Sequence, residues 1–205
     1  MTTKPGNLFI LSAPSGTGKT SLIEALSQTD IDLSLSVSYT SRSMRLGEVE
    51  GRDYYFVERK IFEQMLEHGE FLESAEVYGN LYGTSQKWIN KAIDSGQDIL
   101  LEIDTQGAQQ VRRFFSNAVS IFVLPPSIKV LETRLRNRNQ DCEEAIARRM
   151  AAARQEISHV REYDYVIINE NLDNALRELV CVVQAERLRM AVQLVRHHDL
   201  VMRLG

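Results

Sequence analysis

The sequence predicts an α/β protein: a parallel sheet core with helices on both faces, interrupted by an inserted α+β lobe. Three observations predict it. Short runs rich in Ile, Leu and Val recur along the chain, each followed by a longer amphipathic stretch. A glycine-rich turn ending in Gly18-Lys19-Thr20 joins the first run to the first helical stretch. Between Leu35 and Gly96 the pattern changes to alternation with a period of two.

Asn7 to Ser12 (N-L-F-I-L-S) is a short apolar run between Gly6 and Pro14, as expected of a strand buried on both faces. Thr20 to Gln28 follows with Leu22, Ile23 and Leu26 at helical spacing. Ser36–Thr40 and Asp53–Val57 alternate, Lys60–Glu67 reads as a helix, and Phe71–Val77 as a further strand. Asp98–Ile103, Val119–Leu124 and Tyr165–Ile168 return to the buried-strand pattern. A second excursion, from Pro125 to about Tyr163, is helical, rich in Arg and loosened around Asn137–Asp141. Leu172 to about His198 reads as one long helix with Leu176, Leu179, Val183 and Val192 on its apolar side, which packs on the core or meets a second copy in a homo-oligomer. The expected organisation is a core of 1–34, 98–125 and 164–205, an inserted lobe of 35–97 and a helical excursion of 126–163.

Composition narrows the function. The chain has 205 residues, with 24 Lys and Arg against 28 Asp and Glu, a net charge of −4. A generally basic surface for polymeric nucleic acid is not expected, so any anion site must be a local cluster. Cys142 and Cys181 make no disulfide framework and no metal spacing, which suits a reduced, cytoplasmic protein. The four histidines, His68, His159, His197 and His198, share no metal-binding spacing. No apolar run reaches the length of a membrane span.

Ala13-Pro14-Ser15-Gly16-Thr17-Gly18-Lys19-Thr20 fits the phosphate-binding loop G-x-x-x-x-G-K-[ST], with Ala13 in place of the first Gly. Its setting, after a buried strand and opening a helix, is the one the motif needs. Gly16 and Gly18 let successive N–H groups converge on phosphate oxygens at a helix N-terminus. Lys19 would neutralise the transferred phosphate of a nucleoside triphosphate, and the Thr20 hydroxyl would ligate Mg²⁺.

The inserted lobe carries a second candidate anion site. Arg42 and Arg45, three residues apart just past a strand, can address one phosphate with guanidinium forks. Tyr54 and Tyr82 can each donate a hydroxyl to it. Glu73 stands on a predicted strand nearby.

The loop A-P-S-G-T-G-K-T, the run S-Y-T-S-R-S-M-R-L-G-E-V-E-G-R-D-Y, the segment F-L-E-S-A-E-V-Y-G-N-L-Y-G-T and the stretch L-E-I-D-T-Q-G-A together resemble the guanylate kinase family over essentially the whole chain, most closely its bacterial members. The resemblance implies a P-loop nucleoside monophosphate kinase fold with a GMP-binding lobe and a mobile lid. It implies transfer of the γ-phosphate of ATP to GMP, with dGMP expected beside it, in purine nucleotide metabolism. By matching position, Arg42, Arg45, Tyr54 and Tyr82 are implied as GMP phosphate ligands and Ser38, Glu73, Thr84 and Asp104 as guanine readers. Guanine presents adjacent N–H donors and one acceptor, which a carboxylate with hydroxyl groups complements. Asp104 could instead orient Mg²⁺ or its waters.

The family pattern R-L-x-x-R followed by a later Arg matches Arg134, Arg138 and Arg149, implied to close over the phosphates as catalytic charges. Asn169 matches a position near the adenine end of the ATP site. Tyr39, Ser41 and Met44 depart from the family's habits around the arginine loop, and Asn139 stands at a usual lid Gly. Two other readings stay open on sequence alone: a non-catalytic interaction module of the same fold, and a P-loop enzyme acting on a different nucleotide.

Overall fold

A computed structural model describes residues 5–77, 79–137 and 143–204. In chain order, β1 (Leu8–Ser12) leads through the phosphate loop to α1 (Lys19–Ser27). Short strands β2 (Ser34–Leu35), β3 (Tyr39–Thr40) and β4 (Tyr55–Phe56) precede α2 (Arg59–Glu67). The hairpin β5 (Phe71–Val77) and β6 (Asn80–Ser85) runs into α3 (Gln86–Asp94), then β7 (Ile99–Glu102) and α4 (Thr105–Phe114). β8 (Val119–Leu124), α5 (Ile128–Arg136) and α6 (Glu143–Ser158) follow. The chain closes with β9 (Tyr165–Ile168), α7 (Leu172–Arg187), α8 (Met190–Arg196) and α9 (His198–Leu204).

These elements form two compact units, one running to Ile10 and over Leu33–Ala118, the other over Leu11–Asp32 and from Val119 onward. In the first, β2 and β7 pair in parallel with Ser34 opposite Ile99. A four-stranded sheet in the order β4-β3-β6-β5 stands beside them in the sequence. Its hairpin is antiparallel, and its register shifts between Phe71 and Glu73. That irregularity lies next to Glu73, as bulges do where a side chain is re-aimed. Phe62 of α2, wholly buried, stacks on Phe71 with ring centroids 4.4 Å apart. A Cβ on Gly83 would come within 3.0 Å of both rings, so glycine is what lets β6 lie under them.

In the second unit β8 and β9 pair in parallel, with Ile121 opposite Tyr165. Asp164, at the entry to β9, accepts from Ser120 N at 2.8 Å and Ser120 Oγ at 2.7 Å, which fixes that register. Leu131 and Leu135 of α5 pack with Ala153 and Met150 of α6.

The structure alters the sequence reading in three places. The alternation from Ser36 to Thr40 is not one strand: Ser36 N still donates to Leu100 O, and the chain then leaves β7 to form β3 against β6. Helix α3 has no counterpart in the reading, although Ser85 caps it and Ile89, Ala92 and Ile93 are buried at helical spacing. The single helix expected from Leu172 to about His198 is two, α7 and α8, and a third, α9, begins at His198. Arg189 is extended at ψ 137°, and the buried Glu186 carboxylate holds its Nε at 2.9 Å while accepting from the Tyr165 hydroxyl. Gln193 Nε2 donates to Arg187 O at 2.8 Å, satisfying a carbonyl that the helix end leaves open.

Phe62→Ala would empty a closed aromatic site. Urea unfolding should show a loss of about 3–5 kcal/mol relative to the unsubstituted chain.

Candidate functional site

The phosphate loop belongs to the second unit. Its backbone is fixed from inside: Thr17 N and Thr17 Oγ1 both donate to Pro14 O, at 3.2 and 2.8 Å, and Thr17 is buried. Gly16 (φ 89°) and Gly18 (φ 91°) stand in the left-handed region, where a side chain is strained. Space excludes one as well. A Cβ on Gly16 would meet Leu131 and Leu135 at 2.9–3.0 Å, and a Cβ on Gly18 would sit 2.7 Å from Asn169 Nδ2. Ala13 and Pro14 are buried, Ser15 is half-buried, and Thr20 is exposed on the first turn of α1 beside half-buried Lys19.

Gly18 caps α1 without a side chain, and the first turn, Lys19-Thr20-Ser21, has no acidic residue. The first turn of a helix offers N–H groups that lack intrahelical partners and carry positive partial charge, a site for an anion. Two donors converge on the loop from behind. Asn169 Nδ2 reaches Thr17 O at 2.7 Å, and Arg134 Nη1 reaches the same oxygen at 3.1 Å. Arg134 Nη2 also donates to Asn169 O at 3.0 Å. Gly16, Gly18, Arg134, Asn169 and Leu172 line an open cavity of about 510 Å³, within the range of small-molecule sites. The structure thus brings Arg134 and Asn169 to the loop. Arg149 lies half-buried on α6, Arg138 lies outside the described residues, and exposed Arg136 pairs with Glu132 and Glu143.

The second cluster belongs to the first unit. Glu73 of β5 is only 4% exposed, and its Oε1 accepts from Thr84 Oγ1 at 2.6 Å. Thr84 Oγ1 lies 3.2 Å from Ser38 Oγ. With Glu73 ionised, Thr84 donates to it and Ser38 donates to Thr84, a relay that orients all three groups. Burial raises the Glu73 carboxyl to about 7; the Thr84 bond opposes the rise and the Asp104 charge adds to it. Asp104 caps α4, its Oδ1 accepting from Gly107 N at 2.9 Å and its Oδ2 from Gln106 Nε2 at 3.2 Å.

Arg42 and Arg45 follow β3. Arg42 lies against the rings of Tyr54 and Phe56, its guanidinium carbon 5.4 and 5.7 Å from their centroids. Tyr54 and Tyr82 meet edge to face at 5.8 Å, and burial pushes the Tyr54 hydroxyl up to about 12, with the Glu102 charge adding. Arg45 is exposed.

Two positions that frame this cluster escaped the sequence reading. A Cβ on Gly107 would fall 2.4 Å from Glu73 Oε2, so only glycine leaves room for the carboxylate. Gln110 brackets the next residue of β5, accepting from Ser74 N at 3.1 Å and donating to Ser74 O at 2.7 Å, as a neighbouring strand would. A glycine three residues past a capping Asp was the available signal for the first; Gln110 has none in sequence.

No group of three or more His, Cys, Asp or Glu among the described residues could hold a metal ion. Thr20 offers a lone hydroxyl. That donor set suits Mg²⁺, which keeps several waters and is held chiefly through the phosphates of a bound nucleotide.

Comparison with known proteins identifies the family. The guanylate kinase family model matches residues 5–186. The guanylate kinase of Nitrosospira multiformis is 66% identical over 204 residues, covering 100% of this chain and 97% of that one. That of Nitrosomonas europaea is 56% identical over 194 residues, covering 95% and 96%. Among solved structures, guanylate kinase from Anaplasma phagocytophilum superposes with a TM-score of 0.75 at 37% identity, covering 93% of this chain and 90% of that one.

The buried carboxylate sets a pH test of stability. Because its native pKa is raised, the folded chain holds this proton more tightly than the unfolded chain between pH about 4.5 and about 7. Its contribution to stability is therefore complete below that window and lost as pH rises through it. Glu73→Gln has no proton to lose, so the difference in unfolding free energy between the two proteins should move in favour of the variant from pH 5 to pH 8.

Proposed function

The chain belongs to the guanylate kinase family and phosphorylates GMP to GDP with ATP, and we propose that it divides the task between the two clusters described. The observation that carries this reading is the buried Glu73 carboxylate with the Thr84 and Ser38 hydroxyls aligned behind it. An ionised carboxylate accepts from guanine N1–H and N2–H together, through two charge-assisted bonds. Adenine presents a lone pair at the corresponding edge, so one bond is lost and repulsion gained. Asp104 belongs with the base readers, since its charge already acts on Glu73. Residues 35–97 form the GMP lobe, in which Arg42, Arg45, Tyr54 and Tyr82 take the phosphate.

ATP lies with its phosphates against Ala13–Thr20. Lys19 and the first-turn N–H groups of α1 stabilise charge on the transferred group. Mg²⁺ accompanying ATP would neutralise charge on the phosphates. Thr20 gives it a hydroxyl. Asn169 and Arg134 hold the loop's carbonyl side so that its N–H side faces the phosphates. Residues 126–163 act as the lid, with Arg138 and Arg149 as its charges toward the phosphates and Arg134 at its root. A positioned carboxylate, a set of arginines and a pre-formed loop are what phosphoryl transfer requires; no general base is demanded. No helix of the described residues is long and apolar enough to cross a membrane, and we place the enzyme in the cytoplasm.

A panel of monophosphates assayed with ATP and Mg²⁺ tests the reading. GMP, and dGMP behind it, should be phosphorylated; equal use of AMP would contradict it. Lys19→Ala should lower kcat by about 10²-fold or more with the fold intact by circular dichroism. Glu73→Gln places a donor opposite a guanine N–H and should lower kcat/KM for GMP by about 10²-fold, while KM for ATP stays within a factor of about three.

A further inference from the structure

Glu48 lies in an exposed turn, yet its carboxylate accepts three hydrogen bonds from the two arginines of the loop. Arg42 Nη1 and Nη2 donate to Glu48 Oε2 and Oε1 at 3.0 and 2.8 Å, an end-on fork. Oε2 also accepts from Arg45 N at 2.7 Å, and Glu48 N returns a bond to Arg45 O at 3.1 Å across Gly47, whose φ is 90°. The same carboxylate therefore fixes the side chain of one arginine and the backbone of the other.

A guanidinium carries five N–H groups in one plane. Three on Arg42 are used: two on Glu48 and one, from Nη1, on Ser43 O at 2.7 Å. What remains is Nε–H and the second hydrogen of Nη2, which point the same way from the side edge of the plane. Arg42 Nε is buried with no hydrogen-bond partner among the described residues, and the side chain as a whole is 10% exposed. The Tyr54 and Phe56 rings cover a face of the guanidinium, and the Tyr82 hydroxyl lies within hydrogen-bonding reach of it, so that a phosphate on this edge would share the site with Tyr82 while Nε–H stays open to it. A buried donor left open in an otherwise satisfied group costs stability unless a ligand takes it.

We propose that Glu48 is a positioning residue for the acceptor substrate: it holds the end edge of Arg42 so that the side edge, Nε–H with Nη2–H, is presented as a ready fork to the GMP phosphate. This rests on the reading of Arg42 and Arg45 as GMP phosphate ligands. Glu48 stays in place when the nucleotide binds, because the phosphate uses the edge that the carboxylate does not. Its charge also lowers the cluster from two positive charges toward one, so that a phosphate is bound and released rather than trapped. Without Glu48 the Arg42 plane is free to rotate, and the fork must be ordered at the moment of binding.

Steady-state kinetics of Glu48→Gln and Glu48→Asp, with guanosine as a competitive probe lacking the phosphate, test this. For Glu48→Gln, KM for GMP should rise about tenfold or more, with kcat and KM for ATP within a factor of about three. Glu48→Asp, which keeps the charge, should lie between it and the wild type. The inhibition constant of guanosine should be unchanged in both, since the base readers are untouched. A KM for GMP that falls would show the carboxylate competing with the phosphate, and one that stays put would show it idle; either overturns the proposal. A parallel loss of guanosine affinity, or of the thermal transition in both variants, would make Glu48 a brace for the lobe and would also overturn it. A wild-type protein that does not saturate with GMP fails the underlying reading and the proposal with it. A wild type that does, with unaltered variants, fails the proposal alone.

Discussion

A carboxylate buried to 4% exposure is the constraint around which the small sheet of the first unit is organised. Desolvation alone would keep Glu73 neutral near pH 7, and a neutral acid would meet guanine with one acceptor too few. The Thr84 hydroxyl opposes part of that tendency, and the surrounding residues orient the group. Thr84 donates at 2.6 Å, the strand register shifts between Phe71 and Glu73, and Gly107 lacks the Cβ that would strike Oε2. Gln110 then braces the strand by bonding both backbone groups of Ser74.

The phosphate loop answers a different constraint. Its N–H groups must remain open for an anion, so its stability has to come from its carbonyls. Pro14 O accepts twice from Thr17, and Thr17 O accepts from Asn169 and Arg134. A Cβ at Gly18 would strike Asn169, so the glycine that permits the left-handed turn also permits its anchor. In a chain of net charge −4, this helix end without acidic residues and the Arg42–Arg45 loop are local exceptions of the kind that anionic substrates require.

Much of this was legible in sequence because the relevant patterns are local. The runs N-L-F-I-L-S and V-S-I-F-V-L can be buried strands on hydrophobicity alone, and they fold as β1 and β8. The loop motif is likewise contiguous. What escaped depends on contacts distant in the chain. Gln86–Asp94 is helical with few long apolar runs to announce it, and its apolar face is revealed by what buries Ile89 and Ile93. The break near Leu188 follows from Glu186 being held by Tyr165, 21 residues earlier, which no periodicity encodes. Gly107 and Gln110 matter through Glu73 and Ser74, more than thirty residues away. The sequence pattern marks Arg134 as an expected charge over the phosphates, whereas its bonds to two backbone carbonyls are visible only in three dimensions.

In the function we propose, guanine is read by a carboxylate that must give up its proton to read it. Calorimetric titration of guanosine into the enzyme at pH 6.5, repeated in buffers of different ionisation enthalpy, measures that proton directly, and guanosine carries no phosphate to titrate beside it. The account predicts net proton release on binding, abolished in Glu73→Gln. Binding with no linked proton, or with proton uptake, would contradict it.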